Sequence, residues 1–447
     1  MHPTRILPAA WCLVSLIAAA GVFAEETRPA YALEGCRVVT AAGPILEKGV
    51  VVIRDGLIEA VGESGKIKIP PDAEVVAAEG LTAYPGLILA HTGFLIERPR
   101  EEAPEGRAAA LAAAAATAGR QAEETPKSQP LTWAFDRIKP QTQVLENLHR
   151  SGVTTILVAP APGIFQGLSV LLNLNGDKAE PMVLKNGAAL HINFAVERGT
   201  YPSSPMGTMA FLRQHFHNAL HYAEHLSRYE KAGRGMKRPT YDPLLEALIP
   251  FVKDRRPVVF QCNDQEDIKR ALRLADEFRL NAMIGGANEA WRVAADLKKS
   301  GRPLFVSLNF APPPRSAYTH QGEDLQKKAQ SEIYPANAAK LAEAGIPFAL
   351  TALGLPDGAT ALRNVRTAIK AGLSADEALK ALTIVPARFL GAADRIGSLE
   401  TGKIANVILV RGDIFDEKAL VERVFVDGLS FTPKPPEKPK KPEEKSR

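Results

Sequence analysis

Between residues 155 and 371 short apolar runs alternate with amphipathic segments of helical period, and this alternation restricts the chain more than any other feature. Strands are expected over 155–159, 258–261, 282–284, 304–308 and 348–351, and helices over 241–252, 267–278, 290–299, 336–344 and 362–371. Apolar runs without polar alternation suit strands buried on both faces, the condition of a parallel sheet covered by helices. The extent of the pattern favours an α/β fold closed as a (β/α)8 TIM-type barrel, although periodicity by itself does not separate a barrel from an open sheet. Ser374 with Glu377 forms a capping box that starts a new helix just after Gly372.

The flanks are different in kind. Strand-like runs at 35–40, 50–54, 57–61 and 75–78 precede the alternation, with Asp55-Gly56 supplying the positive φ values that a type I′ hairpin turn requires. Further runs at 404–410 and 424–426 follow it. Each flank has too few strands to bury a sheet face alone, so the two are expected to pair into one small β-sandwich. The expected organisation is residues 25–84 and 396–431 as a composite β-sandwich domain around a barrel at 85–395. Residues 1–24 read as a signal peptide: Arg5 precedes an apolar core and a Val22-Phe23-Ala24 cleavage site, which implies an exported chain, periplasmic or extracellular, without a transmembrane span after cleavage. Residues 432–447 form a Pro/Lys/Glu tail whose composition cannot bury a core. The run 108–116 reads as an alanine-rich helical excursion in a long loop.

The formal charge is +5, but Arg5 and the basic tail account for most of it. The body carries no basic stripe of the kind nucleic acid needs, so no nucleic-acid partner is expected. Removal of the signal leaves Cys36 and Cys262, read as two buried thiols.

Several separated blocks, in order, carry a family likeness. Tyr84-Pro-Gly-Leu-Ile-Leu-Ala-His91-Thr-Gly93 follows the first β segment, Gly152-Val-Thr-Thr155 opens the alternation, and Leu382-Thr-Ile-Val-Pro-Ala387, Gly397-Ser-Leu-Glu-Thr-Gly-Lys403 and Val424-Phe-Val-Asp-Gly428 close it. Together they resemble the amidohydrolase superfamily, in particular its imidazolonepropionase-like branch. The resemblance implies a barrel whose strand ends hold one or two divalent ions on two strand-1 histidines, histidines ending strands 5 and 6, and an aspartate ending strand 8. Such an ion polarises the scissile bond and lowers the pKa of a bound water, while the aspartate handles the proton.

Most of those positions hold other residues. Strand 1 keeps His91 but has Gly93 for the second histidine and Leu89 for the preceding aspartate; Gln261 and Asn263 stand near the strand-5 end; 284–289 contains no histidine; Ala352 or Leu353 replaces the strand-8 aspartate. Asn406 takes the place of an aspartate in the closing block, at a position expected to be structural. A catalytic zinc needs three good protein ligands and an open position, and amides are poor substitutes. The expectation is a pseudoenzyme that needs no cofactor and binds a small molecule in the barrel mouth through His91, Gln261, Asn263, Asp264 and Glu289. The alternative is an active hydrolase of non-peptide or dipeptide C–N bonds, with Zn at a nonstandard site built from His91 and acids such as Asp264 or Glu289.

Elsewhere, His217, His221 and His225 recur every four residues in a helix expected over 207–229. An adjacent pair such as His217 and His221 is a weak metal candidate, and a face packed on aromatics is the plainer reading. Lys185 reads as a surface lysine, His191 as a packed residue, and Cys262 as an unactivated thiol because Asp264 and Glu266 are its charged neighbours.

Overall fold

The computed structural model describes residues 28–96, 131–160, 163–194, 201–311 and 332–434. The expected signal peptide, the alanine-rich run and all of the tail beyond residue 434 lie outside the described residues. Among the described residues no helix is long and apolar enough to cross a membrane.

The chain opens with β1 (Tyr31–Val38), β2 (Leu46–Arg54), β3 (Leu57–Glu63), β4 (Glu74–Ala77) and β5 (Leu81–Pro85). Asp55 and Gly56 join β2 to β3 with φ of 51° and 80°, the conformation expected of that dipeptide. One residue beyond β5, β6 (Leu87–Thr92) begins a second structure, followed by β7 (Val153–Val158), β8 (Phe165–Leu168), β9 (Val170–Asn173), β10 (Val183–Lys185), β11 (Leu190–Asn193), β12 (Val258–Cys262), β13 (Ala282–Gly286), β14 (Leu304–Ser307) and β15 (Ala349–Thr351). Helices Pro243–Val252, Gln265–Glu277, Tyr334–Glu343 and Gly358–Lys370 fall where the amphipathic segments are. The segment expected to be one helix over 290–299 is split into a 3-10 turn, Ala290–Val293, and a short helix, Ala294–Ser300.

Strands β11 to β15 pair in parallel, as do β6 and β7. Between them the expected all-parallel wall fails: β9 pairs antiparallel with β7, and β8 pairs antiparallel with β11. Residues 165–173 thus form one extended segment that crosses between two sheets. Ser169 ties the crossing, its N–H donating to the Ala189 carbonyl at 2.9 Å and its own carbonyl accepting from Ala188 N–H at 2.8 Å. This orientation depends on long-range backbone bonds. Ile88, Leu157, Leu171, Val259, Met283, Phe305 and Ala349, contributed by seven strands, share a single core, so the wall curls around it. β15 packs beside β6 without forming a ladder with it. Burying a side chain the size of Phe305 contributes roughly 2 to 3 kcal/mol.

The chain then returns to the first structure as β16 (Val407–Arg411), β17 (Leu420–Val426) and β18 (Leu429–Phe431). β16 pairs antiparallel with β5 from Val407 opposite Pro85 to Arg411 opposite Leu81, joining both flanks in an eight-stranded sheet. Ile53 and Phe425, from opposite ends of that sheet, lie in one core, so the sheet is folded over on itself in the manner of a sandwich.

Where this sheet meets β7 and β9, a polar network is buried. Asn406 Nδ2 donates to Asn173 Oδ1 at 2.9 Å and to Thr155 Oγ1 at 3.2 Å, while Asn406 Oδ1 accepts from Asp427 N–H at 3.1 Å. Asn173 and Asn175 in turn donate to the Asp427 carboxylate. The amide at position 406 both donates and accepts, which a carboxylate cannot do. Asn406→Asp should therefore cost about 2 kcal/mol in urea unfolding, from lost donors and repulsion with Asp427; a variant as stable as the parent would contradict the network.

Candidate active site

The strand ends that face the helix N-termini are built from alternate residues. In β12 Val259 points into the core, so Gln261 points in one layer above it; Ser307 in β14 and Thr351 in β15 occupy corresponding positions two residues past Phe305 and Ala349. β13 contributes Gly285 and Gly286, and this absence of side chains is used. A Cβ on Gly286, where φ is +82°, would lie 2.5 Å from Asn263 Oδ1 and 2.6 Å from Gln261 Nε2. The two amides fill that space and bond to each other, Nε2 to Oδ1, at 3.3 Å.

His91 sits at the end of β6 with φ of 83°, where the register with β7 is broken between Leu89 and Thr92. The unusual backbone turns its ring toward His191 of β11, with ring centroids 4.7 Å apart at 64°. His191 is opposite Val259, one layer below Gln261. Both histidines are buried, and His91 Nδ1 and both ring nitrogens of His191 have no hydrogen-bond partner. Burial pushes His91 down to about 4 and His191 well below the usual imidazole range, with repulsion from His91 adding to the second. Both are neutral at pH 7.

Above this pair opens a cavity of about 330 Å³ lined by Gln261, Asn263, Asp264 and Glu289, together with Asn288, Asn309, Tyr334 and Thr351. Four of the five residues expected at the mouth share this lining, and His91 lies beneath it. The acids have structural duties. Asp264 caps Gln265–Glu277, its Oδ1 accepting from Asp267 N–H at 2.8 Å, and Glu289 Oε2 accepts from Gln265 N–H at 3.2 Å. Asp357, just past the strand-8 end, likewise caps Gly358–Lys370 through Thr360 N–H at 2.7 Å. Tyr334 is pushed up to about 12, first by burial and then by the charges of Glu289 and Asp264.

The other candidates lie elsewhere. His217 meets Phe278 edge-on with ring centroids 4.8 Å apart, whereas His221 is beside His225 at 6.2 Å in a separate surface groove with Lys237 and Arg238, so the structure does not place His217 and His221 together there. Lys185 donates to the Leu390 carbonyl at 3.0 Å. Cys262 faces the outer core, its thiol well above the usual range through burial and the nearby Asp267 and Asp264; it and Cys36 are both free. His191 is the residue that sequence reasoning undervalued. Its one mark is alternation with Ala189 along an apolar run, which places it on the inner face.

The sequence profile of the amidohydrolase family matches residues 324–431, the stretch that includes the closing blocks quoted above. An amidohydrolase from Thermotoga maritima MSB8 is similar over 90% of this chain and 100% of its own, at 25% identity and a TM-score of 0.74. The chain resembles the amidohydrolase superfamily, by sequence over its C-terminal quarter and by fold over most of its length. The same fold appears in a Xaa-Pro dipeptidase with methionine bound in its active site (16% identity, 90% and 100% coverage, TM-score 0.51) and in a putative prolidase from Bifidobacterium longum (17%, 91% and 95%, 0.52). No curated relative matches by sequence.

Members of this superfamily commonly work with a divalent ion, so the donors here can be tested for fit. Among the described residues no three His, Cys, Asp or Glu side chains are grouped so as to hold one. His91 and His191 provide two imidazoles, the next layer provides Gln261 and Thr351, and the carboxylates of Asp264 and Glu289 are engaged with backbone N–H groups. A catalytic ion needs three strong ligands. The donor set of the described residues does not fit one.

Proposed function

We propose that this protein is an exported amidohydrolase-fold binding protein that takes a small polar ligand in its barrel mouth and does not run metal-centred hydrolysis. The observation that carries this reading is the composition of the mouth: Gln261, Asn263, Asn288 and Asn309 bring carboxamides to the strand ends, where hydrolysis needs imidazoles and free acids. Convergent polar groups in a cavity of this size suit recognition of a small molecule. In the same reading residues 1–24 direct export, residues 25–84 and 396–431 form the composite β domain, and the barrel occupies 85–395.

A second reading is hydrolysis of dipeptide or cyclic-amide C–N bonds through Zn at a nonstandard site; the fold likeness to a Xaa-Pro dipeptidase and a prolidase favours it. Assaying the purified chain against hydantoin, lactam and dipeptide substrates, with Zn²⁺ or Mn²⁺ supplied, separates the two. The binding reading predicts turnover no greater than that of metal-only controls. Turnover that a chelator abolishes and fresh metal restores would establish the second.

A further inference from the structure

Helix Pro205–Ala232 packs its first half into the body, with Phe216 buried and His217 against Phe278. Its second half and the connection to helix Pro243–Val252 border a groove of about 340 Å³ that shares no residue with the mouth. His221 and His225, one turn apart, line this groove from the helix, and Lys237 and Arg238 line it from the connection. No Asp or Glu is part of the lining. Both cations are exposed, and neither is paired with an acid or hydrogen-bonded to a described residue. The acids next to the lining in sequence do not offset them within the groove: Glu224 is paired with Arg228, Asp242 accepts from the N–H groups of Leu244 and Leu245 at 3.0 Å each, and Glu246 stands outside the lining. Tyr222, itself buried, and Leu245 give the groove an apolar side.

We propose that this groove binds a small organic phosphate monoester, at a site independent of the mouth. Such a group brings up to two negative charges and three terminal oxygens, all of them acceptors. The matching donors are the planar fork of Arg238, the ammonium of Lys237 and the two imidazoles, each of which carries at least one N–H in either charge state. A carboxylate presents one charge and two oxygens and leaves part of this donor set unused. Two imidazoles at this spacing also suit a transition-metal ion, but Lys237 and Arg238 repel a cation, and among the described residues no third His, Cys, Asp or Glu is grouped with them. The apolar side formed by Tyr222 and Leu245 favours an ester with an organic group over the bare inorganic ion.

The test is isothermal titration of the full chain at low ionic strength with phenyl phosphate, inorganic phosphate and benzoate. Phenyl phosphate should bind at a single site and more tightly than either of the others. Its affinity should fall on the order of tenfold in Lys237→Gln and in Arg238→Gln. About 0.5 M NaCl should weaken it as well. Arg234→Gln removes an exposed cation from the same connection but outside the lining, so it should leave the affinity unchanged and thereby separate a built site from net charge. All three positions are exposed, so the variants should melt with the parent. Absence of phenyl phosphate binding, affinity indifferent to Lys237 and Arg238, or an equal loss in the Arg234 variant would overturn the proposal. Benzoate or inorganic phosphate binding as tightly as the ester would overturn it too, the first by removing the preference for phosphate and the second by removing the part played by the apolar side. None of these results bears on the reading of the mouth, which is decided by metal-dependent turnover.

Discussion

Between about pH 6.5 and about pH 4 the protein should lose about 3 kcal/mol of stability through His91, with a further loss through His191. The folded state holds His91 at about 4 because burial removes its ring from water. The unfolded chain titrates near the ordinary value of about 6.5 and takes up a proton throughout this window, while the folded chain does not. The stabilising difference is therefore complete above the unfolded pKa, drains as pH falls, and is gone below the folded pKa. Against a typical total of about 5 to 15 kcal/mol, this loss is large. Urea unfolding at several pH values measures it, and substitution separates it from the general titration of carboxylates. His191→Leu removes two buried ring nitrogens that have no partner, so it should be neutral or stabilising at pH 7 and should flatten the acid limb. His91→Asn, chosen because Asn tolerates positive φ, should flatten it too, at some cost in packing. A loss of more than about 2 kcal/mol at pH 7 in His191→Leu would mean that those nitrogens are engaged.

Gly167→Ala should cost at least about 4 kcal/mol and could prevent folding altogether, because two penalties meet at one residue. Its φ is +114°, and an added Cβ would lie 2.0 Å from the carbonyl oxygen of Thr132. That oxygen belongs to backbone that accepts the Leu168 N–H at 2.8 Å, so it cannot rotate away. Gly163→Ala provides the control. Its φ is a similar +117°, but the nearest atom to an added Cβ is 3.8 Å away, so it should show the conformational penalty alone, about 1 to 2 kcal/mol. Thermal and urea unfolding of the pair give the difference. Equal costs would show that segment 132–134 does not pack against β8 as described.

Gly167 also marks where the sequence is hardest to read. The strands at 258, 282, 304 and 349 are legible because burial on both faces demands apolar runs, and their helices because one face is apolar. In 165–173 the residues Gln166, Gly167 and Ser169 interrupt the pattern, so it matches neither period. Its antiparallel direction is fixed by Ser169 bonding to Ala188 and Ala189, partners about twenty residues away that no local signal announces. The mouth was legible to the extent that strand-end positions follow from strands: Gln261, Asn263, Asp264 and Glu289 are there. His191 was not, since an inward histidine one layer deeper resembles any core residue until its neighbour His91 is placed, and His91 is turned inward by a break in register. Ser307, Thr351, Asn309 and Tyr334 were missed because hydroxyls and amides at strand ends carry no distinctive spacing. Asn406 could be recognised as structural, but Asn173 and Asp427, which give it its role, come from distant parts of the chain.

The central claim is that the described residues of the mouth do not assemble the ligands of a hydrolytic ion. Elemental analysis of the purified full chain, after exposure to Zn²⁺ and removal of the excess, tests it most directly. The account predicts zinc well below one equivalent per chain and a melting temperature that a chelator leaves unchanged. One zinc per chain, bound so that chelation lowers the melting temperature and substitution of His91 abolishes retention, would contradict it.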